Sequence, residues 1–143
     1  MTNYLITKQQ INSIAFITPI SVVAFKDVVI LSVQESDVQN ALGSELYNQV
    51  IIPGDELSYN PAFTDLVTKY IQPFMAFKIK SITLALTLAE SADTIEAFNM
   101  LKESVYTAKA TADSYYATLL SYVSSFYSAV SSEKPSLISG FLV

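Results

Sequence analysis

Apolar residues in the second half of the chain recur at alternating steps of three and four, the spacing of a helix that buries one face. In the last long segment Phe98, Leu101, Val105, Ala108, Ala112, Tyr115, Leu119, Tyr122, Phe126 and Ala129 keep this rhythm, a heptad stripe sustained over about four repeats. Ala108 and Ala112 sit mid-stripe, where small side chains let a neighbouring helix approach closely. The stripe predicts a seam, either against the helix that opens at Pro61 or across a contact between subunits. Tyr106, Tyr116 and Tyr127 fall off the stripe and predict a second, partly exposed aromatic face suited to a partner.

Upstream, Asn60-Pro61 reads as a cap followed by proline at the first helical position. Phe63, Leu66, Val67, Tyr70, Ile71 and Phe74 then share one face. Pro73 lies inside this pattern and predicts a kink or restart near Lys69 and Tyr70, because proline removes a backbone donor and clashes with the preceding turn. The apolar run continues to Leu88 and is expected to end near Ser91.

In the N-terminal third, Thr18-Pro19 is expected to start a helix whose buried face carries Val22, Val23, Val29, Ile30, Val33 and Val38. The β-branched density leaves a strand open for part of it. Gly43 is expected to end or bend that helix, with Ser44 capping a short continuation through Glu45, Leu46, Tyr47 and Val50. Residues 4–6 read as a short strand or an extended arm. The clearest break is Ile52-Pro53-Gly54-Asp55, continued through Ser58 to Asn60-Pro61. Beyond Val130, Ser131-Ser132-Glu133-Lys134-Pro135 stops the last helix. The segment 131–143 then reads as a docking tail, since Leu137, Ile138, Phe141, Leu142 and Val143 disfavour remaining in water. Its own core and a partner are equal candidates to receive it.

These elements define an all-α fold, a single domain over 1–143: a helical bundle with long kinked helices, a short extended N-terminal arm and a C-terminal tail. Only 3 Gly and 5 Pro punctuate the 143 residues, which fits few turns. Hydrophobic residues make up 51% and charged residues 15%, more apolar material than a lone small domain needs, and this suggests contact with other subunits. The apolar stretch 11–33 is interrupted by Pro19 and Lys26-Asp27 before it reaches the roughly 20 residues of a spanning helix, so it reads as core. With Lys8 as the only early charge, a signal peptide is the weaker reading.

Composition narrows the chemistry further. The chain has no His, Cys, Trp or Arg; all eight basic residues are Lys. Imidazole and thiolate nucleophiles, the zinc sites built on them and arginine clamps are therefore excluded. Ser131 and Lys134 match a Ser-x-x-Lys spacing, but they sit at a helix end beside Pro135 and read as a solvated terminus. The carboxylate pairs Glu35 with Asp37, Asp55 with Glu56 and Asp93 with Glu96 lack the ligand spacing of a calcium loop. We expect no catalytic residue, no cofactor and no metal. The net charge of −5 repels nucleic acid at long range, which disfavours a DNA clamp but not a conduit around DNA.

Three passages resemble a known family. The run from Ile30 through Leu42, Gly43, Ser44, Glu45, Leu46 and Tyr47 is similar to the "Leu-Gly" and "Leu-Tyr" passage of the head-tail connector, or neck-ring, proteins of tailed bacteriophages. It resembles in particular those of phages that infect Bacteroidetes, the crAss-like phages. Phe63-Thr64-Asp65-Leu66-Val67-Thr68-Lys69-Tyr70-Ile71-Gln72-Pro73 resembles that family's "Leu-Leu-x-x-Tyr-Ile-x-Pro" helix, and Ala112-Asp113-Ser114-Tyr115-Tyr116 resembles its closing helix. The three cover roughly residues 20 to 125 in the family's order. Related chains often carry a Gly-containing strand or loop between the second and last helices; residues 81–109 here contain no Gly, which speaks against such an insertion.

The resemblance implies a virion protein at the neck, made in the host cytoplasm: a subunit of a homo-oligomeric ring, expected as a dodecamer, below the portal. It would extend the DNA channel and dock the next neck or tail protein. Twelve copies would carry about −60, which suits a lumen through which DNA slides without specific binding. Leu42, Gly43, Leu46, Tyr47, Tyr70 and Pro73 would set the fold. Tyr106, Tyr116, Tyr127, Leu137, Ile138, Phe141 and Leu142 would meet partners. The alternative from another class is a cytosolic helical adaptor or chaperone-like module that clasps an apolar peptide along Tyr106, Tyr116 and Tyr127.

Overall fold

The computed structural model describes residues 4–51, 59–91 and 94–133. Among them every regular element is helical and no strand occurs; one isolated antiparallel bridge joins Ile51 to Tyr59. The elements are α1 (Lys8–Ala15), α2 (Asp27–Ser32), α3 (Gln39–Leu42), α4 (Ser44–Val50), α5 (Thr64–Leu66), α6 (Gln72–Ser91) and α7 (Ile95–Glu133). The all-α expectation holds, and no helix is long and apolar enough to cross a membrane among the described residues.

The first correction concerns the N-terminus. A helix already begins at Lys8, where Thr7 and Gln10 form a reciprocal cap: the Gln10 N–H donates to Thr7 Oγ1 at 3.1 Å and the Thr7 N–H to Gln10 Oε1 at 2.9 Å. The helix expected at Thr18-Pro19 does not form. Asn12, buried on α1, takes both backbone groups of Ile20, donating to its C=O at 2.8 Å and accepting its N–H at 3.0 Å. A helix begun at Pro19 would need the Ile20 C=O for its own ladder, although the Ile20 N–H, in the first turn, would have no partner inside the helix. A short 3-10 turn, Val22–Ala24, follows, and α2 starts only at Asp27, whose carboxylate suits a helix start and pairs with Lys8 at 3.0 Å. Val23 therefore faces solvent, while Ile30, Val33 and Val38 enter the core as expected.

Two widened π turns, Val33–Val38 and Val67–Ile71, run directly into α3 and α6. The second lies where Pro73 predicts a disturbance. The wider turn accommodates the missing proline N–H without breaking the axis. Asn60 caps the turn Pro61–Phe63, its Oδ1 accepting the Ala62 N–H at 3.0 Å. The turn-rich connection from Ile52 lies mostly outside the described residues, but its ends meet: the Asn60 N–H donates to the Val50 C=O at 2.7 Å.

Gly43 separates α3 from α4 at φ +82° and ψ 154°, a region essentially confined to glycine. Gly43 itself is the residue before α4; Ser44 is its first helical residue and makes no side-chain cap, contrary to expectation. A Cβ at position 43 would lie 3.5 Å from Tyr127 Oη, an ordinary contact. Strain, not collision, therefore sets the penalty. Gly43→Ala is expected to lose about 1–2 kcal/mol of stability, read as a lower urea midpoint at unchanged slope.

One core joins all these elements, from Leu5 and Ile6 through Phe25, Ile30, Leu42, Leu46, Val50, Ile71, Met75 and Ile79 to Ala112, Leu119 and Val123. Residues 4–7 are neither helix nor strand; Leu5 and Ile6 lie inside this core, Tyr4 packs half-buried against it and Thr7 is exposed. Two buried glutamines hold them: the Leu5 N–H donates to Gln34 Oε1 at 2.7 Å, and Gln72 Nε2 donates to the Leu5 C=O at 2.9 Å. Gln34 sits in the first π turn and Gln72 directly after the second.

Candidate interaction surface

The α6–α7 seam is the spine of the molecule. Ala108 and Ala112 are buried in it, and aromatic pairs stack along it: Tyr70 on Tyr122 with centroids 4.1 Å apart, Phe74 on Tyr116 at 5.0 Å, Phe77 on Tyr115 at 5.6 Å. Offset and tilted rings in contact add to the burial of their area. The stripe read from the sequence is thus an intrachain seam over its described middle, with Leu119 and Tyr122 in place. The side chains of Phe126 and Ala129 lie outside the described residues.

This seam draws two of the three tyrosines of the expected aromatic face partly inward. Tyr116 packs on Phe74, and Tyr127 donates from its hydroxyl to the Leu42 C=O at 2.5 Å; only Tyr106, at 61% exposure, stands in solvent. Tyr116 and Tyr127 are eleven residues apart and share one shoulder of the helix; Tyr106 lies about 60–80° around the axis from them and about 15 Å from Tyr116 toward the hairpin tip. The other expected partner residues, Leu137, Ile138, Phe141 and Leu142, lie outside the described residues.

The six residues singled out by the resemblance gather in the body of the fold. Leu42 and Leu46 are buried, Tyr47 accepts from Gln34 Nε2 at 3.3 Å, Gly43 supplies the positive φ, Tyr70 stacks on Tyr122 and Pro73 follows the second π turn. Burial raises the Tyr47 hydroxyl above its ordinary value of 10.0, opposed by the Gln34 bond and reinforced by Glu35. Tyr116 and Tyr127 are also raised, again chiefly by burial, with Asp37 and Glu45 adding to it. Each favours the protonated phenol when folded, so its stabilisation is complete below pH 10 and lost as pH rises through the higher folded value. Lys80 works the other way, its value lowered by burial from 10.5. With three phenols against one amine, stability is expected to fall above pH 10, by chemical unfolding at stepped pH.

A further surface is the far end of the α6–α7 hairpin. No residue from 84 to 90 or from 94 to 107 is buried. There the larger group of exposed apolar side chains gathers, Ile95 at 81%, Met100 at 71%, Leu86 at 46% and Phe98 at 43%, with Tyr106 just below; Ile17, Val23 and Val28 form a smaller exposed set before and at the start of α2. α7 has 39 residues and is about 58 Å long, whereas a chain of this size packs to a radius of gyration of about 14 Å. The hairpin outruns its core. Sequence reasoning placed Phe98 on a seam; the stripe continues past the point where other elements can cover it.

Two shallow grooves flank α7. One of about 340 Å³ is lined by residues 61–66 and Tyr122; the other, about 350 Å³, by Phe77, Lys80, Met100, Glu103, Ser104, Thr107, Ala108 and Thr111. Lys80 lines the second groove, but its ammonium donates to the Ala15 C=O at 2.8 Å and lies 4.9 Å from the Phe16 ring centroid. It works as a cap on α1 and a cation–π contact. Among the described residues no group of three or more carboxylates gathers as a metal site. No family model, curated protein or solved structure matches the chain.

Proposed function

We propose that this protein is a structural subunit of a homo-oligomeric ring in a tailed-phage virion, seated at the neck between the portal vertex and the tail. It works by shape and subunit packing, not by catalysis, and its ring continues the DNA channel. The observation that carries this reading is the projecting hairpin. Large apolar side chains grouped on an element that leaves its own core mark a protein interface, and a helix far longer than its domain suits a subunit that must bridge neighbours. The head-tail connector resemblance supplies the setting. Its signature residues serve the core here, which leaves the hairpin and the tail for partners.

The test is the native mass of the purified protein, alone and mixed with a portal ring, by light scattering or native mass spectrometry. We expect a closed ring in at least one sample. Monomer in both, without portal binding, overturns the reading. A defined 1:1 complex with an apolar peptide and no ring would instead favour the adaptor class.

A further inference from the structure

Two apolar groups stand at opposite ends of α7. One is the hairpin tip, where Ile95, Phe98 and Tyr106 face solvent. The other belongs to the sequence after α7, where Leu137, Ile138, Phe141 and Leu142 follow Pro135, outside the described residues. Each has area to bury, and a contact between the two would satisfy both.

Geometry forbids that contact within one chain. Phe98 and Glu133 both belong to α7, and at about 1.5 Å per residue they are about 52 Å apart along its axis. From Glu133 to Leu142 the chain, fully extended, spans at most about 32 Å. The segment cannot reach its own tip, and Tyr106, about 40 Å from Glu133, is also out of range.

We infer that residues 137–142 of one copy dock on the hairpin tip of the next, with Phe98 and Tyr106 as the main contacts. The inference rests on the ring reading above and names the segment that joins the subunits. Such a contact is heterologous: each copy gives one tail and receives one, so the pattern repeats until a rotation closes it. It favours a second copy over a foreign partner because donor and acceptor lie on the same chain in equal number.

The chain has no cysteine, so disulfide trapping reads introduced thiols alone. Phe98→Cys and Leu142→Cys are placed in separate full-length chains, mixed under assembly conditions with portal ring present, and exposed to a mild oxidant. The expected product is a linked dimer of the two different chains, and the doubly substituted chain should link into a ladder ending at the ring. An internal disulfide within a monomeric double variant overturns the inference, as does a Phe98→Cys chain that links to itself in preference to the mixed pair. A ring seen by native mass with no 98–142 link overturns the docking while the ring reading stands. No ring and no portal binding removes both. As a second measurement, Phe141→Asp with Leu142→Asp should weaken assembly at least about tenfold while the helical signal and thermal midpoint of the free subunit stay unchanged; unweakened assembly refutes the docking.

Discussion

Phe25→Ala is expected to remove about 3–5 kcal/mol of stability, a large share of the roughly 5–15 kcal/mol that holds a typical domain folded. Phe25 is 0% exposed and ranks first among the largest fully buried side chains. It sits where the turn Val22–Ala24 hands over to α2, its N–H bonded to the Val22 C=O at 3.1 Å. Its ring leans on Phe16 with centroids 5.6 Å apart, and Phe16 in turn carries the Lys80 ammonium. Truncation would open a cavity, and it would also loosen the tie between the 16–26 connection and α6. Thermal unfolding followed by circular dichroism should show a drop of about 10–20 °C. Phe25→Leu should keep most of the stability. A loss under about 1 kcal/mol for the alanine variant would mean that this connection does not anchor the core.

Gln34→Leu comes next, at about 2–3 kcal/mol. The new side chain fills much the same volume, so the loss is polar. The Leu5 N–H, buried with its residue, would lose the acceptor now 2.7 Å away, and Tyr47 would lose the amide that donates to it. Gln72→Leu removes the complementary donor to the Leu5 C=O. Because both glutamines grip one residue, the two losses should be less than additive in a double-mutant cycle. Hydrogen exchange at the Leu5 amide is the direct readout: it should quicken strongly in Gln34→Leu. Unchanged exchange would show that packing of Leu5 and Ile6 alone holds the arm.

The sequence was most legible where the controlling interaction is local. Asn60-Pro61 caps its turn, Gly43 breaks α3 from α4, α6 ends at Ser91 and the Pro73 disturbance emerges as a π turn. α1 has a local signal too, since Thr7 and Gln10 stand at capping-box spacing, but the apolar stretch from Ile11 overlaps it. Thr18-Pro19 misled because a start signal is only an offer, and Asn12 outbid it by binding Ile20. The paired glutamines carry no local signal at all. In sequence Gln34 and Gln72 read as surface residues, yet they bond Leu5 across 29 and 67 positions.

The candidate surface divides in the same way. Exposed apolar residues on the last helix were visible as types and spacings, but which of them face solvent was not. Periodicity states that a helix has an apolar stripe; it does not state how far along that stripe a neighbour extends. Residues 3.6 to a turn, caps and breakers act within a few positions, and they settled that this chain is helical and roughly where the helices after Gly43 begin and end. Burying the arm in the core, turning Tyr127 inward onto Leu42 85 positions away, and leaving the hairpin tip uncovered depended on contacts between distant residues. Those contacts exist only once the chain has packed, because packing alone decides which apolar area finds a partner inside the molecule and which must find one outside it.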